Sequence, residues 1–118
     1  MSQNSPEFEV LVEMGPHGKR WYDRAVPIAS TVTAQSLTSY LCAVSGYSIT
    51  NADTAAAHTV TISDGNGANA TTIFTVTVPA ASSVSVMPGF SGIPIESGLV
   101  VTLSSTQLSG VVIVRIRR

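Results

Sequence analysis

The sequence predicts an all-β chain: a two-sheet antiparallel β-sandwich of seven or eight short strands with an amino-terminal hairpin arm. Three observations predict it. Short β-branched runs recur along the chain, Gly, Asn and Pro punctuate them, and several runs alternate apolar and polar side chains with the period of two that a strand requires. Strands of this length and spacing favour two packed antiparallel sheets over a layered α/β plan.

Taken in order, Phe8, Val10, Val12 and Met14 alternate with Glu9, Leu11 and Glu13 and define a first strand. Gly15, Pro16, His17 and Gly18 supply turn conformations, so residues 19 to 24 return as the second arm of a hairpin, with the acids of one arm near the bases of the other. The body then offers strands over Val26 to Thr33, Tyr40 to Ser48, His58 to Ser63, Thr72 to Val78, Ser83 to Met87, Val100 to Ser104 and Val111 to Arg117. Leu37, Tyr40, Leu41 and Val44 also have helical spacing, which leaves a short helix over residues 35 to 44 as the alternative there. Thr54 to Ala57 reads as a small-residue loop, too short to nucleate a helix.

At 118 residues the chain fits one compact unit. Apolar residues make up 44% and charged residues 11%, against about 25% charged in an average domain. The charges crowd the ends: Glu7, Glu9, Glu13, Lys19, Arg20, Asp23 and Arg24 at the start, and Arg115, Arg117 and Arg118 at the finish. Between Ala25 and Val114 stand only Asp53, Asp64 and Glu96. The chain therefore divides into a charged arm, 1–24, and a neutral sandwich body, 25–118. A body without Lys or Arg implies a surface covered by neighbours, the plain alternative being a sandwich coated with Ser and Thr. The arm is expected to reach over a neighbour and anchor the body, the alternative being that the hairpin completes a sheet of its own domain.

A net charge of −1 argues against nucleic acid and acidic membrane as partners, since either wants a basic stripe. The amino terminus lacks the basic and apolar regions of a secretory signal, which argues against export by that route, and Ser, Thr and Gln interrupt the uncharged stretch from Ala25 to Ala52 too often for a membrane-spanning helix. Cys42 is the only cysteine, so no intrachain disulfide forms and a buried, inert thiol is expected.

No motif carries chemistry. Gly65 to Ala70 matches a Gly-rich phosphate loop superficially, but an alternating strand follows it, leaving no helix N-terminus to face a pyrophosphate. Asp64, Asn66 and Asn69 offer hard oxygens for calcium with a single carboxylate, too few for tight binding. His17 and His58 have no Cys or acid at ligand spacing. Ser91, flanked by Phe90 and Gly92, lacks the strand-turn-helix elbow of a catalytic nucleophile, and the Asn69-Ala70-Thr71 sequon has no export signal to make it meaningful. The expectation is therefore no enzyme, no catalytic residue, no metal and no cofactor.

Interface candidates stand out instead. Trp21 and Tyr22 adjoin Arg20 and Arg24, the aromatic and Arg grouping of interface anchors, with a satellite cluster under the hairpin as the alternative. Val111 to Val114 would be an aggregation hazard on an open edge. Arg115, Arg117 and Arg118 read either as gatekeepers of that run or as partners of carboxylates on a neighbouring subunit.

One further signal is an order of features. Tyr40-Leu41 opens a strand, Asn51-Ala52-Asp53 and an Ala-rich loop follow, and Thr59-Val60-Thr61-Ile62-Ser63-Asp64-Gly65 ends in a polar loop. Val78-Pro79-Ala80 leads into Ser83-Val84-Ser85-Val86, then Gly92-Ile93-Pro94-Ile95 and Gly98-Leu99-Val100-Val101-Thr102-Leu103. Over this stretch the chain resembles small β-sandwich virion structural proteins of tailed bacteriophages. It departs from them in the charged hairpin and the Arg-rich end, which bear on how the domain is mounted. The resemblance implies a capsid decoration or cement protein, located in the virion after assembly in the bacterial host cytoplasm. Its partners would be the major capsid protein or another virion protein and further copies of itself, with a trimer favoured. A tail or head-to-tail component is the alternative within virions. A carbohydrate-binding or host-adhesion module is the alternative outside that class, although Tyr40, Tyr47, Phe74 and Phe90 are few aromatics for a sugar platform.

Overall fold

The computed structural model describes the backbone of residues 9–14, 20–38, 42–66, 69–86 and 92–117, and the side chains of 22–38, 42–66, 69–86 and 92–116. Among these residues the chain forms ten strands and two antiparallel sheets. The strands are β1 (Glu9–Met14), β2 (Arg20–Ile28), β3 (Gln35–Ser36), β4 (Cys42–Asn51), β5 (His58–Asp64), β6 (Thr71–Val78), β7 (Ser82–Val86), β8 (Ile93–Ile95), β9 (Leu99–Leu103) and β10 (Leu108–Arg117). One sheet runs β1-β2-β10-β4-β7, with β8 also paired to β4, and the other runs β3-β9-β5-β6. The all-β sandwich expected from the pattern of short strands is the observed fold.

Alternation along the strands builds the core. Leu108, Val112, Val114 and Ile116 of β10 turn inward beside Ile49 and Val44 of β4, and meet Val60 and Ile62 of β5 and Leu99, Val101 and Leu103 of β9. Removing each such side chain from water is worth about 1.5–3 kcal/mol. Cys42 belongs to this core, and burial raises its thiol pKa despite a contact with the Thr38 hydroxyl at 3.6 Å. Gly110 cannot be replaced without strain. Its φ is +144°, and an added Cβ would collide with the Ser48 carbonyl oxygen across the β4–β10 ladder.

Two expectations need correction, and one alternative falls away. The strand expected over residues 26–33 stops at Ile28, because the Gln35 side-chain amide takes the place of a strand partner. Its Oε1 accepts the Ala29 N–H and its Nε2 donates to the Ala29 carbonyl, both at 2.7 Å. The alternative helix over 35–44 is not formed by its described part, since Gln35–Ser36 is β3 and Cys42 opens β4. The hairpin of β1 and β2 exists, with Glu9 registered opposite Arg24. However, the expected boundary between residues 24 and 25 falls inside β2, which pairs with β10 in unbroken register from Ile28↔Gly110 to Trp21↔Arg117. The second arm of the hairpin is thus a strand of the sandwich.

Candidate functional site

Arg115 sits on β10, which lies between β2 and β4 inside its sheet, so the apolar run beside it has no open edge to guard. Arg115 is registered directly opposite Asp23 of β2. Its Nε donates to Asp23 Oδ1 at 2.9 Å and its Nη2 to Oδ2 at 3.1 Å, the paired geometry of a guanidinium on a carboxylate. The two residues are 6% and 9% exposed. The register between β10 and β4 passes from Ile113↔Gly46 to Val114↔Val44, which leaves Ser45 as the extra residue of a bulge. Val44, Ser45 and Gly46 are consequently all buried, and the Ser45 hydroxyl lies within reach of Asp23 Oδ1 at 3.1 Å and the Ile113 carbonyl at 3.3 Å. The expectation that Arg115 guards an edge or serves a neighbouring subunit is corrected: its carboxylate lies within its own chain.

Of the other interface candidates, Tyr22 packs half-buried against the core, and Arg24 is half-buried and registered between Glu9 and Val114. The side chains of Arg20, Trp21 and Arg117, together with Arg118, His17 and Ser91, lie outside the described residues.

The acids of the body serve its loops. Asp64 Oδ2 and Oδ1 accept the N–H groups of Glu96 and Ser97 at 2.9 and 2.8 Å, tying the end of β5 to the turn between β8 and β9. Those two N–H groups hold the Asp64 carboxyl below the usual range. The Asp64 oxygens considered for calcium thus accept backbone N–H groups. Asp53 Oδ1 accepts the Ala55 N–H at 2.8 Å, and its Oδ2 lies 2.7 Å from His58 Nε2. The Ala55 N–H, followed by His58, lowers the Asp53 pKa. His58 therefore has an acidic partner, five residues back across the loop, which linear spacing did not reveal. Behind both stands Asn51, 1% exposed, whose Nδ2 lies within reach of the carbonyls of Ala56, Val78 and Pro79 and whose Oδ1 accepts the Asp53 N–H. This is a loop clamp.

Elsewhere the described surface carries an apolar notch. β7 pairs with β4 over Tyr47–Asn51 and β8 pairs with it over Cys42–Val44, so the bulge at Ser45 and Gly46 marks a gap in the sheet margin. A notch of about 290 Å³ opens there, lined by Val44, Tyr47, Phe74, Val86 and Ile93 beside the bulge backbone. Tyr47 and Phe74 face each other across the two sheets, ring centres 6.3 Å apart and tilted by 33°. Val86 and Ile93 are 47% and 41% exposed. No charged group stands among the described lining residues; their hydroxyls are those of Ser45, which faces Asp23 and Ile113, and Tyr47. Such a notch has the shape and lining to bury an apolar side chain.

No family model matches this chain, and no curated protein does. Among solved structures, a chain from the disulfide-linked pili of Bacillus endospore appendages is similar with a TM-score of 0.38 and 14% identity, over 99% of this chain and 95% of that one.

Proposed function

We propose that this chain is a non-enzymatic structural subunit of a virion, a capsid decoration protein that packs across seams between major capsid protein subunits and stabilises the shell. One observation carries the reading: the scarcity of charge in the sequence becomes scarcer still on the folded surface. Among the six charged residues whose side chains are described, Asp23 and Arg115 are buried together, leaving Arg24, Asp53, Asp64 and Glu96 at least partly exposed. Interspersed surface charge keeps a free domain soluble. A sandwich body sparse in it that exposes Val86 and Ile93 at an apolar notch is suited to being covered. The resemblance of residues 40–103 to phage virion sandwiches supplies the virion context.

The reading is tested by mixing the purified chain with shells assembled from the major capsid protein encoded in the same genome and sedimenting them. Saturable co-sedimentation is expected, with shells that resist heat better once decorated. Failure to bind shells, with binding to tail tubes instead, would move the protein to the tail.

A further inference from the structure

The sandwich has four sheet margins, and they are protected unequally. On one side lie β1, which carries Glu9 and Glu13, and β3, which is two residues long. Charge and brevity are the usual devices that keep a strand edge from pairing with another chain. On the other side lie β6 and β7, the outer strands of their respective sheets, in contact with one another. β6 is eight residues, Thr71–Val78, and β7 is five, Ser82–Val86; neither contains a charged residue, Gly or Pro. Among the described residues no strand pairs with the outer side of β6. The only irregularity is at Ile73, the extra residue of a bulge between the pairs Ile62↔Phe74 and Ser63↔Thr72. Beyond it, Phe74–Val78 is regular, with Phe74 and Val76 half-buried and Thr75 and Thr77 exposed on the outer face.

The geometry points to β6 as a self-association edge whose occupant is β6 of a second copy, related by a two-fold axis. The partner follows from the asymmetry of the margins. A head-to-tail contact would set the bare side of one copy against the charged or truncated side of the next. Only the bare side meets a neutral strand of matching length, and an antiparallel edge is its own complement under two-fold rotation. Centring the axis on Val76 keeps the Ile73 bulge outside the paired segment and sets Thr75 of one copy opposite Thr77 of the other, a favourable cross-strand pair. This surface deepens the reading of the chain as a packing subunit and rests on it.

The test uses the full chain. Sedimentation equilibrium should show a monomer passing to a dimer with rising concentration, and hydrogen exchange in the peptide containing residues 74–78 should slow over the same range. Thr75→Lys with Thr77→Lys places like charges opposite each other and should raise the dissociation constant about tenfold or more. Ser36→Lys, on β3, should leave it unchanged. A double variant that dimerises like the parent, a Ser36→Lys variant that is equally impaired, a trimer, or exchange at 74–78 that ignores concentration would each overturn the assignment. The exchange measurement needs no mutation, so misfolding of the variant does not blunt the test. Shell co-sedimentation run in parallel separates the two ideas: shells bound by a chain whose β6 edge stays open would sink the edge and leave the packing subunit standing.

Discussion

Replacing Asp23 by Ala leaves the Arg115 guanidinium in a site where it is 6% exposed, without the carboxylate that holds two of its N–H groups at 2.9 and 3.1 Å. Breaking a buried pair by removing one partner costs about 3–5 kcal/mol, because the remaining charge stays desolvated. Against a total stability of roughly 5–15 kcal/mol for a domain of this kind, that is a large fraction. At about 4 °C per kcal/mol for a chain of this size, the melting temperature should fall by roughly 12–20 °C. The reverse truncation, Arg115→Ala, should cost less. The Asp23 carboxylate keeps the Ser45 hydroxyl as a hydrogen-bond donor. Replacing both by Leu and Met should recover much of the loss, since well-packed apolar residues often equal a buried pair. Urea melts followed by circular dichroism would measure all three. A loss below about 1 kcal/mol for Asp23→Ala, or a larger loss for Arg115→Ala, would refute the account of this pair.

Three further outcomes are expected. Asp53 and Asp64 both have folded-state pKa values depressed below the ordinary Asp value of about 3.9. Their stabilisation is therefore present above about pH 4 and is lost as pH falls through the folded values, and Asp64→Asn should flatten the acid limb of a plot of melting temperature against pH. Gly110→Ala should destabilise severely, by more than about 3 kcal/mol in a urea melt, since the strand must shift to admit the methyl group against Ser48. Deleting residues 1–24 removes β1, half of β2 and the carboxylate of Arg115, so circular dichroism should show an unfolded or aggregated product; a folded, soluble truncation would restore the separable arm.

The strands were legible because their signal is local. The starts and ends of β5, β6, β7 and β9 lie within one residue of the strands expected over His58 to Ser63, Thr72 to Val78, Ser83 to Met87 and Val100 to Ser104. What the sequence conceals is pairing at a distance. Asp23 looks like one acid in a charged arm, and its bond to Arg115 spans 92 residues, visible only once β2 and β10 are in register. Ser45 is one small polar residue among many until the bulge places it beside Asp23. β8 was too short to separate from its turn, although Ile93-Pro94-Ile95 carries an alternation of its own, and Gln35 gives no linear hint that its amide ends β2. Of the interface residues read from the sequence, Arg115 is internal. The apolar notch went unread because Tyr47, Phe74, Val86 and Ile93 come from four strands.

The most direct test of the central claim is the copy number of this protein in purified particles produced by the genome that encodes it, measured by quantitative mass spectrometry against the major capsid protein. A decoration subunit should be retained through density-gradient purification in a fixed ratio to the capsid protein, in hundreds of copies on the order of the lattice sites available to a covering subunit. Absence from the particles, with the protein left free in the lysate, would contradict the account.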